Sequence, residues 1–267
     1  MGHGVDAAPR HSPAPAAPPD REAEPMLAVE DLNRDFGGVH AVRDCSFAVP
    51  AGSITGLIGP NGAGKTTAFN LISGLVRPTG GRVLFEGEEI TDLRPHRITR
   101  AGIARTFQIS RVLGELSVLE NVVICAPAGG VRRLLGGSVL EREHERGLEL
   151  LDFLGLASLA EAPGGELSYG QRKLVELAGA LMSEPRLVLL DEPAGGVNPR
   201  LIEDIIARIR ELNRDGVTFL IVEHNMDVVM GLSDSVIVMA HGEVLRQGRP
   251  EEVRSDTAVL DAYLGRA

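Results

Sequence analysis

The sequence contains no run approaching the roughly 20 consecutive apolar residues of a membrane span. It has two cysteines, Cys45 and Cys125, far apart and without metal-ligand spacing, which points to free structural thiols in a reducing compartment. A secretory signal is not visible, because the first 25 residues carry proline, alanine and charge but no apolar segment. Asp6 stands where a myristoylation signal after Met1-Gly2 wants serine or threonine. Positive charge is also short: the formal net charge is -10, which argues against nucleic acid held on a general basic surface and leaves a local patch open. These absences lead to the expectation of a soluble chain on the cytoplasmic side, held at any membrane by another subunit.

What is present is globular: 267 residues, 43% hydrophobic and 24% charged, enough for one large domain or a core with a smaller lobe. Residues 1 to 25, rich in proline and alanine, read as a disordered tail, and residues 26–267 as a single domain. Strand-like text runs through Leu27-Ala28-Val29 and from Ala41 to Val49, with Phe36-Gly37-Gly38 as the turn between. A strand-like Ile103 to Gln108 follows a short helix near Pro95. Residues 109–165 read as a helical insertion, in which Glu141 to Arg146 forms a solvated face. From Tyr169 onward, helices alternate with apolar strands (187–191, 217–222, 235–239), the pattern of a parallel sheet covered on both faces.

The chemistry starts at Gly59-Pro60-Asn61-Gly62-Ala63-Gly64-Lys65-Thr66, between the apolar run Ile54 to Ile58 and a helix-compatible run beginning at Thr67. This is the P-loop pattern GxxxxGK[ST] in its strand-loop-helix setting. Glycines let the backbone wrap a pyrophosphate with its amides inward, and the helix adds its positive end. Lys65 can reach the β- and γ-phosphates, and Thr66 can offer its hydroxyl to Mg²⁺.

A second constellation is the strand Leu187 to Leu190 ending in Asp191-Glu192, expected to lie beside the P-loop strand. There Asp191 would hold Mg²⁺, and Glu192 could orient and deprotonate a water for in-line attack on the γ-phosphate. Alone, Asp-Glu-Pro at a strand end reads equally as the lead into a helix.

Leu167-Ser168-Tyr169-Gly170-Gln171 opens a helix between these two sites, and here the sequence resembles the ATP-binding cassette (ABC) ATPases, whose signature segment has this form and spacing, over residues 27 to 255. The resemblance implies an α/β P-loop NTPase (RecA-like) core, 26–108 and 166–267, with a mainly parallel sheet, an N-terminal antiparallel β-subdomain and an inserted α-helical subdomain. It implies that Ser168, Gly170 and Gln171 contact the γ-phosphate held by a second cassette, so that two cassettes close on two ATP molecules. A serine-capped helix start suits an anion, although by itself the segment is only a capped helix. Gln108 looks like the family's glutamine that senses Mg²⁺ and water and couples to the membrane partner. His224 looks like the switch histidine at the γ-phosphate. Phe36 resembles the aromatic that stacks on adenine, with a half-buried turn aromatic as the alternative.

Two positions depart from the commonest cassette pattern. Tyr169 replaces a glycine, so its φ must be negative, and Asn198 replaces an aspartate, keeping hydrogen bonding but not charge. With Ala104-Arg105-Thr106-Phe107-Gln108, Glu223-His224-Asn225-Met226 and Ala262-Tyr263-Leu264-Gly265, they resemble the LivG-type ATPases of branched-chain amino-acid importers. That subfamily implies uptake of Leu, Ile or Val through two transmembrane permease subunits. It further implies a second cassette, sister chain or identical copy, and an external substrate-binding protein. Cassettes for urea or amide import, for lipopolysaccharide export, or for soluble non-transport work remain open alternatives.

Overall fold

The computed structural model describes residues 25–106, 112–127 and 137–263, without side chains for 137–140. The chain begins with a hairpin of β1 (Leu27–Phe36) and β2 (Val39–Val49). Phe36 pairs with Val39, leaving a two-residue loop, Gly37 and Gly38, both at positive φ (52° and 90°), which glycine adopts without steric cost. With β4 (Gly80–Phe85) and β5 (Glu88–Glu89) the hairpin makes an antiparallel sheet of order β2-β1-β4-β5.

The second sheet has order β10-β9-β3-β8-β7-β6. It comprises β3 (Ile54–Ile58), β6 (Ile103–Arg105), β7 (Leu187–Asp191), β8 (Thr218–Val222), β9 (Ser235–Ala240) and β10 (Glu243–Gly248). All neighbours are parallel except the β9–β10 hairpin at one edge. Every residue of β3, β7 and β8 is buried, as strands covered on both faces require. One expectation is corrected here: β7 does not lie beside the P-loop strand β3, because β8 sits between them and pairs with both. The parallel order is set by which crossover helix covers which face, a non-local matter that the residues of β7 alone do not encode.

Helix α1 (Lys65–Ile72) lies between the two sheets, burying Ala68, Phe69, Leu71 and Ile72 in a core shared with Leu27, Phe47, Val83, Leu57 and Leu189. Helix α2 (Pro95–Ala101) leads into β6. On the other face of the sheet, α3 (Val118–Val123), α4 (Gly137–Phe153), α5 (Tyr169–Leu181) and α6 (Pro199–Arg214) share one core with Leu190, Phe219 and Ile221. The C-terminal α7 (Met226–Leu232), α8 (Pro250–Arg254) and α9 (Thr257–Tyr263) cover Ile58, Val236 and Val238.

Local chemistry sets the helix starts. Ser168 caps α5 through a capping box with Gln171, and Asn198 caps α6 by accepting from Leu201 N (3.0 Å), with Pro199 as the first helical residue. Asn198 thus keeps the hydrogen-bonding role foreseen for it. Tyr169 begins a helix and is absent from the residues at positive φ, as its side chain requires. Both cysteines are free of disulfides, and burial pushes the Cys45 thiol up to about 12. No described helix is long and apolar enough to cross a membrane.

Candidate active site

The ends of β3, β7 and β8 bring three loops together at the carboxyl edge of the parallel strands, where open α/β sheets bind ligands. The loop from Gly59 to Gly64 leaves β3 and enters α1. Gly59 sits at φ 149°, and a Cβ there would stand 2.1 Å from the Met239 carbonyl oxygen. Gly64, at φ 98°, would place a Cβ 2.5 Å from the Ala41 carbonyl oxygen. The loop is therefore wedged against β9 on one side and β2 on the other, and only glycine fits at either wall. Ala63 N donates to Pro60 O (3.1 Å), while Asn61 and Gly62 face solvent.

Gly59→Ala is expected to cost about 1–3 kcal/mol, the usual range for overpacking a tight contact, because backbone atoms form the obstruction. Thermal unfolding of the variant checks this; an unchanged melting temperature would contradict it.

Helix α1 has no side-chain cap and no acidic residue in its first turn, so the amides of its first turn are left for another acceptor. A phosphate suits that cradle. Lys65 Nζ donates to Gly59 O (2.7 Å) and Pro60 O (3.0 Å), folded back on the loop. Burial pushes its pKa below the usual lysine value, opposed by the charges of Glu192 and Asp191, which face it across the site. Thr66 is exposed beside it and Thr67 is half-buried.

Asp191, the last residue of β7, is 2% exposed. Its Oδ2 accepts from Arg105 Nη2 (3.3 Å) and its amide donates to Thr106 Oγ1 (3.2 Å). Burial pushes this carboxyl above its usual range, while the Arg105 guanidinium opposes the shift. Arg105 also donates to Asn70 Oδ1 and Ser73 Oγ (both 2.8 Å), which ties β7 to the end of α1. A hydroxyl at Thr66 and a carboxylate at Asp191 are hard-oxygen donors of the kind that a Mg²⁺ keeping waters and meeting phosphates would accept.

Glu192 adopts φ 49°, in the left-handed region, held there by its amide donating to Val222 O (2.9 Å). A non-glycine residue in that region costs on the order of 1–3 kcal/mol and concentrates at functional sites. Its Oε1 lies 3.7 Å from His224 Nδ1, so the carboxylate and the imidazole form a pair across the ends of β7 and β8.

The structure thus brings Lys65, Asp191, Glu192 and His224 to one cleft. Ser168, Gly170 and Gln171 do not join it: among the described residues no hydrogen bond or ion pair ties them to the P-loop. Gly170 and Tyr169 pack instead on the loop and helix after Glu192: a Cβ on Gly170 would stand 2.2 Å from Leu201 Cδ2 of α6 and 3.5 Å from Val197 Cγ1, and one on Gly196 3.1 Å from Tyr169 Cε1. Phe36, 45% exposed at the end of β1, carries the Arg34 guanidinium 4.5 Å over its ring. Gln108 lies outside the described residues.

Sequence reasoning missed three groups. Arg105, a lone cation in an apolar strand, holds Asp191. Glu223, an acid directly after the buried strand β8, accepts backbone hydrogen bonds from two loops. Tyr263, on the last described helix, has its phenol pKa pushed up by partial burial, an effect opposed by the Gly59 backbone.

Known proteins resemble this chain in sequence and fold. The ABC transporter family matches residues 42–195. A protein of Archaeoglobus fulgidus named a probable branched-chain amino acid transport ATP-binding protein, LivG, is 42% identical over 246 residues, covering 90% of this chain and 95% of its own. The crystal structure of an ATP-binding cassette of an ABC transporter in its ADP conformation is 37% identical with a TM-score of 0.81, covering 91% of this chain and 100% of that one. A dimeric cassette bound to ADP and phosphate after hydrolysis is 27% identical with a TM-score of 0.73, over 84% of this chain and 99% of that one. The chain belongs to the ABC transporter family, as one of its ATP-binding cassettes.

Proposed function

We propose that this chain is the ATP-hydrolysing subunit of a branched-chain amino-acid importer, working at the cytoplasmic face of the membrane. It acts with two permease subunits, a second cassette and, through the permeases, an external substrate-binding protein. The observation that carries the hydrolytic reading is the Glu192–His224 pair at 3.7 Å opposite the Lys65 loop. Sequence kinship to a LivG protein at 42% identity supports the substrate class. Residues 26–108 and 166–267 serve as the nucleotide-binding core and 109–165 as the helical insertion.

The P-loop amides and Lys65 bind the phosphates, and Phe36 offers its free face to the adenine. Glu192 takes a proton from a water whose oxygen attacks the γ-phosphorus; the bond to the β–γ bridging oxygen breaks and ADP leaves. His224 contacts the γ-phosphate. Ser168 is exposed at a helix start, with Gly170 buried and Gln171 half-buried behind it, and this helix end is suited to meet the γ-phosphate of a second cassette rather than this one. Thr66, Asp191 and Gln108 would hold Mg²⁺, which supplies charge neutralisation when bound.

Uptake assays in cells carrying wild-type or Glu192→Gln chain test this reading. Loss of Leu, Ile and Val uptake is expected with the variant, together with recovery of two permease subunits and a second cassette when the wild-type chain is purified from solubilised membranes. Loss of urea uptake with intact branched-chain uptake would overturn the substrate, and recovery of soluble partners alone would overturn the transport role.

A further inference from the structure

Glu223 stands between β8 and His224, and its residue is 1% exposed. A carboxylate in such a place is costly unless its oxygens are satisfied. They are satisfied by backbone amides from two different loops: Oε1 accepts from Ala194 N (2.7 Å), and Oε2 accepts from His224 N (3.1 Å) and Asn225 N (3.3 Å). Among the described residues, the basic group within 4.0 Å is the His224 ring itself, with Nδ1 at 3.9 Å.

The division of labour between the two oxygens is the informative feature. Oε1 serves the loop that runs from Glu192 to the Asn198 cap of α6, on which the signature residues Tyr169 and Gly170 rest. Oε2 serves the segment that presents His224 and opens α7. One rigid, two-oxygen group therefore fixes the spacing between the loop of the general base and the loop of the switch histidine. Glutamine cannot replace it, because its single acceptor oxygen satisfies one loop while its amide hydrogens face the donors of the other.

We propose that Glu223 is a positioning residue that couples His224 to the loop following Glu192, so that engagement of the γ-phosphate by His224 is transmitted to the surface that carries the signature segment. The inference rests on the hydrolytic reading given above. It adds a mechanical link that neither loop possesses alone.

The test uses the full-length chain in its assembly with the second cassette and permeases. Glu223→Gln is expected to bind ATP with a Kd within about threefold of wild type while kcat falls about tenfold or more, since a buried donor loses its acceptor on one loop only. In a His224→Ala background the same substitution should change the residual kcat less than about twofold, because groups acting through one another are not additive. A kcat close to wild type, a parallel loss of ATP affinity, or losses that multiply in the double variant would overturn the link. If Glu223→Gln does not fold, amide exchange in the wild-type chain decides: Ala194, His224 and Asn225 should be protected together and slow together when a non-hydrolysable ATP analogue binds. Independent exchange of Ala194 would overturn it. Absence of ATPase activity in the wild-type assembly would overturn the hydrolytic reading instead, and amide exchange would still test the link.

Discussion

Glu192→Gln is expected to lower ATP turnover by about 10²–10⁴-fold, the span usual for loss of a general base, or roughly 3–5 kcal/mol of activation free energy. ATP binding should survive, because the phosphate cradle is built from the P-loop, Lys65 and α1, none of which the substitution touches. The backbone should also survive. Glutamine inherits the same φ of 49° and the same amide bond to Val222 O, so the local strain is unchanged and the native stability should stay within a fraction of a kcal/mol. The variant should therefore accumulate with ATP bound and in a closed pair of cassettes, visible as an ATP-dependent increase in mass by light scattering. Normal turnover by the variant would remove Glu192 from the role of base.

Lys65→Ala should fail at an earlier step. Hydrogen bonds to a charged group contribute about 1.5–3 kcal/mol, so losing the ammonium should weaken ATP binding by about 10- to 150-fold. The effect is moderated by what Lys65 gives up when nucleotide arrives: its bonds to Gly59 O and Pro60 O are exchanged for phosphate oxygens. Arginine is not a conservative rescue, since its planar fork demands a geometry that the tight glycine-walled loop does not offer. Titration with a fluorescent ATP analogue separates the two variants: affinity retained for Glu192→Gln, lost for Lys65→Ala. Equal, wild-type affinity in both would contradict the assignment of Lys65 to the phosphates.

Some of this site was legible in the sequence because its chemistry is local. Gly59 to Thr66 reads as a P-loop since the spacing of glycines, lysine and threonine is itself the backbone geometry. Ser168 and Gln171 read as a helix start for the same reason, three residues apart across one turn. Tyr169 constrained its own φ, and the structure obeys it. The failures are non-local. Nothing in Leu187 to Asp191 tells that β8 will lie between that strand and β3, because strand order depends on which helices cover which face. Arg105 and Glu223 stood in the sequence only as letters of motifs resembling the LivG-type ATPases, with no role attached; their meaning lies in partners dozens of residues away, Asp191 for one and Ala194 for the other. The positive φ of Glu192 is likewise imposed by its neighbour strand, through the bond to Val222 O, and carries no mark in the residue itself.

The central claim is that hydrolysis occurs at the Lys65–Glu192–His224 cleft and needs the signature segment of a second cassette. The most direct test is the rate of ATP hydrolysis per chain as a function of cassette concentration, with and without the sister cassette, for wild type and for Ser168→Arg. The expected result is a per-chain rate that rises with concentration and collapses with Ser168→Arg although ATP binding to each single chain is unchanged. A per-chain rate that is constant at every dilution and indifferent to Ser168 would contradict it.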